Sequence, residues 1–419
     1  MNQDSPINPI AESTDSAETA SNEDQPQPHT GQLIGFSLTA RLVTDTGSQI
    51  FNPFLPYIAS GLNISPISLG WMVGLRSALG VLAPLFGSLA DRHGFRNILC
   101  FGLVCGSLGT LIVGLATNWW TASIGMAIWG IGLAGFVPTL HAYLGACLPY
   151  KSRARGIGIV EYGWALAGII GLFSAGWLIR TWNWRAPFFV LSCCMLVMAA
   201  VFLLLPRPSG SKQVVRGNQE RSTFSLVEFF RLGPNARSAY AIIIGGSLAF
   251  FAAMQIYIAH GTWLVTQYGT GPATLGTIAM LFGFSDLLGS VSVSLFTDSI
   301  GKRRSVIMGL AATAVAYILL PFLNQGLILA VLGIALARLC FEFTIVSNIT
   351  LLSEQVPEQR GKVMTLGAAA GLIGMTLAGG VGPWLYLSYG VWGLTTVSTV
   401  LTSIALIIYL ALTKERYPE

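Results

Sequence analysis

Charged residues are scarce in this sequence. Only 10% of its 419 residues are Asp, Glu, Lys or Arg, whereas 53% are hydrophobic and the mean hydropathy is +0.65. Soluble domains carry about 25% charged residues, so this composition excludes an ordinary soluble protein. The composition predicts a membrane protein.

The residue patterns of a membrane enzyme or an ATP-driven pump are also missing. The four histidines and six cysteines show no metal-ligand spacing, and no glycine-rich phosphate loop ends in Lys-Ser or Lys-Thr. We therefore expect no enzymatic activity, no metal and no cofactor. A non-transporting sensor or scaffold is an alternative, but it would tend to have a sizeable soluble domain.

The N-terminal 31 residues contain no Lys or Arg and no apolar core. A signal peptide needs both, so residues 1–31 are predicted to be a disordered acidic tail on the cytoplasmic side.

Twelve apolar segments follow, each near or above the roughly 20 residues that a bilayer requires. They group as six, a polar linker and six, which predicts an N-terminal bundle at 32–205, a cytoplasmic linker at 206–237, a C-terminal bundle at 238–413 and a short cytoplasmic tail at 414–419. Within the linker, residues 222–232 fit either a short amphipathic helix on the membrane surface or an ordinary solvated connector.

Basic residues set the orientation. If both termini are cytoplasmic, 18 of the 23 Lys and Arg residues fall in inner segments, two fall outside and three lie within spans. Such a bias is typical of cytoplasmic loops. The net charge of +5 is therefore a matter of topology, and we expect a bilayer-embedded monomer in the inner or plasma membrane with no nucleic-acid partner.

A polar turn recurs at half the chain length. The first copy lies between the second and third spans, and a weaker copy lies about 207 residues later; their shared positions are Gly87, Asp91, Arg92, Gly94 and Arg96, then Asp298, Gly301, Lys302 and Arg303. A repeat of this kind predicts two pseudo-symmetric six-helix bundles.

These turns resemble the signature loop of the major facilitator superfamily, and the resemblance extends over essentially the whole chain after the tail. It implies the twelve-helix fold of that superfamily, transport by alternating access, and a conformational latch at the nine residues of the two turns. Their chemistry fits this role, because Gly87 permits close helix approach, Gly94 permits a tight turn, and Asp91 can accept hydrogen bonds from its basic neighbours. The alternative is a simple topological turn.

Seven ionisable residues fall within spans: Arg41, Asp45, Arg76, Glu161, Asp286, Arg338 and Glu342. Each costs at least about 2.5 to 3.5 kcal/mol at a helix centre, so they should face a cavity or one another. We expect Asp45, Asp286, Arg338 and Glu342 to surround one central cavity between the halves, and Arg41 and Arg76 to line it as well.

Four acids against three bases leave one carboxylate without a fixed partner. In a low-dielectric site such a group can bind and release a proton, so Asp286, Asp45 and Glu342 are the proton-coupling candidates. Asp286 ranks first because its own span contains no basic residue. Its alternative role is a permanent ion pair with Arg41 or Arg76.

Three other polar residues are candidates for secondary roles. Glu161 lines the inner vestibule or contacts Arg153 or Arg155, and Asn348 is a candidate hydrogen-bonding group of the cavity. His141 is a proton relay or bonds a neighbouring helix.

The sequence thus predicts a secondary active transporter of a small solute. Proton-coupled efflux of a hydrophobic or amphipathic compound ranks slightly ahead of proton-coupled uptake of an organic anion or sugar. Drug exporters of the superfamily usually carry an Arg in helix 4, and here Gly130 occupies the position equivalent to Arg338, which weakens the exporter interpretation.

Overall fold

The computed structural model describes residues 30–205, 232–233, 235–356 and 359–414. The predicted acidic tail lies outside this part of the chain except for Thr30 and Gly31, which already belong to the first helix. The predicted surface helix of the linker also lies outside it, apart from Leu232. The side chains of Asp91 and Asp298 are not among those described.

Six helices form the N-terminal half. They are α1 (Thr30–Gln49 continued by Phe51–Gly61), α2 (Pro66–Ala78, Leu79–Leu82 and Ala83–His93), α3 (Phe95–Leu115), α4 (Trp119–Cys147), α5 (Tyr150–Glu161, Gly163–Leu166, Ala167–Leu172 and Phe173–Thr181) and α6 (Ala186–Leu204).

Six more form the C-terminal half. They are α7 (Ala236–Tyr268), α8 (Pro272–Ile300), α9 (Lys302–Leu323), α10 (Leu327–Ser353), and α11 and α12, which are the parts of Arg360–Leu412 before and after Gly390.

The count of twelve spans agrees with the sequence prediction. In the described residues, ten continuous stretches of helical residues are long and apolar enough to cross a membrane. The last of them breaks at Gly390, which has φ 65° and ψ −158°, so it makes two spans. The two consecutive pieces of α1 supply the remaining one.

Prolines explain the break in α1. Pro53 has no N–H to donate to the Gln49 carbonyl four residues earlier, and Pro56 likewise leaves the Asn52 carbonyl without its helical partner. Helix α5 is also irregular, because Ala167–Leu172 forms a π-helical segment near mid-membrane. Both irregularities lie where the two halves meet.

Glycines bring the two halves into contact through three helix pairs. Gly70 of α2 lies against the backbone of Gly379 in α11, and Gly176 of α5 lies against Gly276 in α8. Gly261 of α7 lies against the backbone of α1. Side chains at these positions would collide with backbone atoms, which is why small residues permit such close helix approach.

These contacts close one end of the molecule. We call it the aromatic end, because it carries Trp119, Trp120, Trp182, Trp184 and Trp392. The opposite, basic end carries the loops with Arg92, Arg96, Lys302, Arg303 and Arg304.

Towards the basic end, the two halves diverge. The packing between α2 and α11 is concentrated along Pro66–Leu82, and that between α5 and α8 along Gly163–Thr181. A Cβ placed on Gly87, at the basic end of α2, would meet open space. Gly87 therefore makes no close contact with another helix among the described residues, contrary to the sequence expectation, because the two halves are apart at this end.

Candidate functional site

The buried charges form separate groups, one in each half. In the C-terminal half, Arg338 of α10 binds Asp286 of α8 with two hydrogen bonds, Nε to Oδ1 at 3.1 Å and Nη2 to Oδ2 at 2.5 Å. The guanidinium also lies over the ring of Tyr257, 3.8 Å from its centroid. Both charges are thereby neutralised within hydrogen-bond distance.

This pairing overturns the reason for ranking Asp286 first. Its partner comes from another helix, 52 residues away, which the absence of a base within its own span could not reveal. The base is Arg338, and neither Arg41 nor Arg76 reaches it. Glu342, one turn beyond Arg338 on α10, accepts a hydrogen bond from the Ser290 hydroxyl at 2.9 Å and has no basic partner within 4 Å among the described residues. The excess carboxylate of this half is therefore Glu342.

In the N-terminal half, four ionisable groups lie together. Arg41 Nε is 2.9 Å from Asp45 Oδ2 on the next turn of α1, and Arg41 Nη2 is 3.7 Å from Glu161 Oε2 on α5. The other oxygen of Glu161 is 2.5 Å from His141 Nε2 on α4. Among the described contacts, the partners of Glu161 are therefore Arg41 of α1 and His141 of α4, and not Arg153 or Arg155.

Arg76 stands apart from both groups. Only 3% of its surface is exposed, and its Nη2 donates a hydrogen bond to the Ser48 carbonyl at 2.9 Å. Its guanidinium lies over the rings of Trp129 and Phe51, at 4.9 and 5.3 Å from their centroids. Among the described residues no carboxylate comes within 4 Å of it, and its Nη1 has no hydrogen-bond partner.

A small cavity lies between the halves. Its volume is about 10 Å³, room for roughly one water molecule. Polar side chains from both halves line it, namely Gln49, Asn52, His260 and Arg338. Of the charged residues expected to line a shared cavity, Arg338 is the one that the described lining contains. The side chains of Arg41, Asp45, Asp286 and Glu342 are held by neighbours inside their own halves, and Arg76 donates to the Ser48 carbonyl.

The sequence interpretation missed Gln49 and Asn52. The available signal was two amides in an apolar span, each four residues before a proline. Asn348, in contrast, was predicted to face the cavity and does not. It accepts a hydrogen bond from the Tyr409 hydroxyl of α12 inside the C-terminal half.

Comparison with known proteins identifies the fold family. The Major Facilitator Superfamily profile matches residues 38–267 and 243–419, together nearly the whole described chain. The chain belongs to the major facilitator superfamily. It is therefore a secondary transporter rather than an enzyme, and a multi-pass membrane protein.

Relatives within the superfamily are distant. The chain is 26% identical to the "Uncharacterized MFS-type transporter YceJ" of Bacillus subtilis (strain 168), over 91% of this chain and 96% of the relative. It is 21% identical to the cis,cis-muconate transport protein of Acinetobacter baylyi and 23% identical to the multidrug resistance protein MdtG of Klebsiella pneumoniae, in each case over 69% of this chain and 71% of the relative.

Solved structures of the superfamily share the same fold. The crystal structure of a D-xylose-proton symporter superposes with a TM-score of 0.73 at 16% identity, covering 93% of this chain and 99% of that one. At this identity the similarity concerns the fold alone.

The two superfamily signature turns have matching backbones. Gly94 has φ 87° and ψ 141°, and Gly301 has φ 95° and ψ 139°, a region that strongly favours glycine. The described contacts of their basic side chains, however, lie within their own half in this conformation. Arg96 donates to the Leu205 carbonyl at 2.9 Å, Lys302 pairs with Glu354, and Arg303 Nε donates to the Thr413 carbonyl at 3.0 Å.

The described contacts of the turns do not join the halves, because the basic end is open. A latch between the halves remains a prediction for the conformation in which this end closes. Gly87, Asp91, Arg92 and Asp298 belong to that prediction as well.

Proposed function

We propose that this transporter moves a small organic anion together with protons, and that Arg76 is the group that binds the anion. The observation that carries the proposal is the isolation of Arg76, a buried cation with a carbonyl and two aromatic rings around it but no carboxylate in the described residues. Burying an uncompensated charge is costly, and a bound anion would remove that cost.

The surroundings of Arg76 favour a carboxylate on an unsaturated or aromatic skeleton. A guanidinium binds a carboxylate through two parallel hydrogen bonds, and Nη1 of Arg76 is free to donate one. Phe51 and Trp129 offer two adjacent apolar ring faces beside the guanidinium. Ser48, to which Arg76 is bonded, precedes Gln49 in the lining of the central cavity.

Glu342 is the proton carrier in this proposal. Among the described carboxylates within the C-terminal spans, it is the one without a basic partner within 4 Å, and it lies one helical turn from Arg338. Asp286 then has a structural role, as the partner of Arg338 in a buried ion pair. The positive-inside bias supports a cytoplasmic location for the basic end, and in that orientation the conformation described here is open to the inside.

Similarity to the cis,cis-muconate transport protein supports an organic acid as substrate. Efflux of an amphipathic compound, which the sequence ranked slightly higher, becomes the second candidate, and similarity to MdtG favours it. We rank the organic anion first because a hydrophobic substrate would leave the buried positive charge of Arg76 without a negative partner.

The test is flux into proteoliposomes with and without an inward pH gradient, with gentisate and cis,cis-muconate as probes and the cation ethidium as comparison. We expect the gradient to drive anion accumulation. Arg76→Leu should reduce uptake about 10- to 100-fold, the range expected for loss of charged hydrogen bonds, whereas Arg76→Lys should retain part of it. Glu342→Gln should abolish the response to the gradient while anion exchange continues.

The matched control is Arg180→Leu, because Arg180 also lies over a tryptophan ring but at the surface of the aromatic end, 5.2 Å from the centroid of Trp177. It should leave uptake unchanged. Gradient-driven ethidium movement without anion flux would replace the proposal with the efflux candidate.

A further inference from the structure

The positions of the acids change the charge balance of the membrane region. The sequence count of four carboxylates and three guanidiniums indicates one excess acid. The structure instead shows one excess acid in each buried cluster, since Arg41 faces two carboxylates, Asp45 and Glu161, and Arg338 sits beside Asp286 and Glu342. The isolated cation is Arg76. The N-terminal half therefore has a carboxylate that the proposed function has not used.

That carboxylate is shared with a histidine. Glu161 Oε1 and His141 Nε2 are 2.5 Å apart, a distance at which one proton is held between them. The charged and titratable groups that act on this pair from the packed helices, within the described residues, are Arg41 and Asp45 of α1. With a neutral imidazole the four groups carry one negative charge, and a single added proton makes them neutral.

The pair is also accessible to solvent. The side chains of Glu161 and His141 are 46% and 36% exposed, whereas those of Arg41 and Asp45 are 10% and 5% exposed. The cluster thus extends from the open basic end into the protein interior. A proton on the outermost pair can exchange with water at this end.

We propose that Glu161 and His141 form a second proton site, so that two protons accompany each monovalent anion. This inference rests on the proposed function and adds a stoichiometry to it. The proton comes from water, is held between Glu161 Oε1 and His141 Nε2, and returns to water when the site opens to the other side. No bond other than that to the proton is made or broken.

The charge of the closed intermediate supports this stoichiometry. With four carboxylates, three guanidiniums and one bound monoanion, the membrane region would carry two negative charges. One proton on Glu342 leaves one charge, and a second on the Glu161–His141 pair leaves none. A transporter closes around its ligands in a low-dielectric interior. Closure costs least free energy when the charges of the ligands and of the buried side chains cancel.

The experiment measures the number of protons per anion in proteoliposomes, with gentisate as the monovalent probe. The membrane potential that stops net flux is recorded at several pH gradients. We expect a ratio of two in the wild type, so each cycle carries one net positive charge and an inside-negative potential stimulates uptake. A ratio of one would overturn the inference but leave the proposed function intact, whereas flux that ignores the pH gradient would refute the proposed function itself.

Variants locate the second site. Glu161→Gln leaves Arg41 balanced by Asp45 alone, so the ratio should fall to one and uptake should stop responding to potential. An unchanged ratio of two in this variant would overturn the assignment. If this variant does not transport, His141→Gln serves in its place, and its ratio at neutral pH should fall below two.

The control is His93→Gln, which removes another histidine of the basic end whose ring bonds the Leu89 carbonyl. It should keep the ratio of two. A fall in the ratio of His93→Gln equal to that in His141→Gln would also contradict the proposal.

Discussion

Equivalent helices in the two halves place their buried charge differently. In the C-terminal half, Arg338 of α10 pairs with Asp286 of α8. In the N-terminal half the equivalent helices are α4 and α2, and Gly130 occupies the position equivalent to Arg338, against the backbone carbonyl of Arg76. The arginine on α2 is Arg76 itself, and no described carboxylate lies within 4 Å of it.

The features that the two halves share differ in kind from the buried charges in which they differ. The signature turns and the glycine contacts between halves occur in both repeats, because they build and move the fold. The buried charges have diverged, so the C-terminal half pairs Arg338 with Asp286 while Arg76 of the N-terminal half has no carboxylate within 4 Å among the described residues. In our proposal, this asymmetry between Arg76 and Arg338 is what selects an anionic substrate.

Removing each arginine in turn should have opposite effects on stability. Arg338→Leu leaves Asp286 buried without a partner, and the loss of one member of a buried pair costs about 3 to 5 kcal/mol of folding free energy. Arg76→Leu leaves no acid behind, so its stability should equal or exceed that of the wild type. Thermal unfolding of the purified proteins without ligand measures both.

The double variant Asp286→Leu with Arg338→Leu is the control for the pair, and it should recover most of the stability lost in Arg338→Leu. Equal losses for Arg76→Leu and Arg338→Leu would mean that Arg76 has an acidic partner in the protein, and the contrast between the halves would disappear.

Enlarging a glycine between the halves should have the next largest effect. Gly379→Leu places a side chain against the backbone of α2, and overpacking of this kind costs about 1 to 3 kcal/mol. The conformation closed at the aromatic end should lose population by about 5- to 100-fold, because only that conformation contains the contact. Labelling of an Asn52→Cys reporter from the aromatic end should accelerate accordingly.

Gly371→Leu is the matched control on the same helix, since a Cβ at Gly371 meets open space. It should not change the labelling rate. Gly276→Leu, in the equivalent contact between α5 and α8, should behave like Gly379→Leu, and a large difference between them would show that the two glycine contacts are not equivalent.

The smallest effect is expected at a hydrogen bond that crosses the aromatic end. The Tyr57 hydroxyl of α1 donates to the Thr270 carbonyl before α8 at 2.6 Å. Tyr57→Phe should weaken closure by about 0.5 to 1.5 kcal/mol, a two- to tenfold faster labelling of the same reporter. Tyr386→Phe removes a hydroxyl that bonds the Trp263 carbonyl within one half, and it should leave the rate unchanged.

Features that depend on local sequence were predicted well. Apolar length identified twelve spans, and the repeated turn identified two bundles, since both are properties of contiguous residues. The composition of each span also showed which charges lie in the membrane.

Partners across helices were not predictable in the same way. Asp286 and Arg338 are 52 residues apart, and Glu161 meets His141 from a different helix 20 residues away, so their pairing depends on how the helices rotate. The prediction for Asn348 was wrong for the same reason, because the rotation of α10 directs this side chain to Tyr409 and away from the cavity. Gly87 shows a further limit, since its neighbours depend on the conformation adopted.

The π-helical segment Ala167–Leu172 accommodates extra residues in one turn of α5. Deleting a single residue there would restore regular helical geometry and rotate one end of α5 against the other by about 100°. With Gly176 held against α8, Glu161 would turn away from His141. The direction in which Glu161 points, relative to the α5 surface that packs against α8, is thus set by this one local insertion. A change in length at this point would rotate Glu161 away from His141 while leaving the sequence of both regions unchanged.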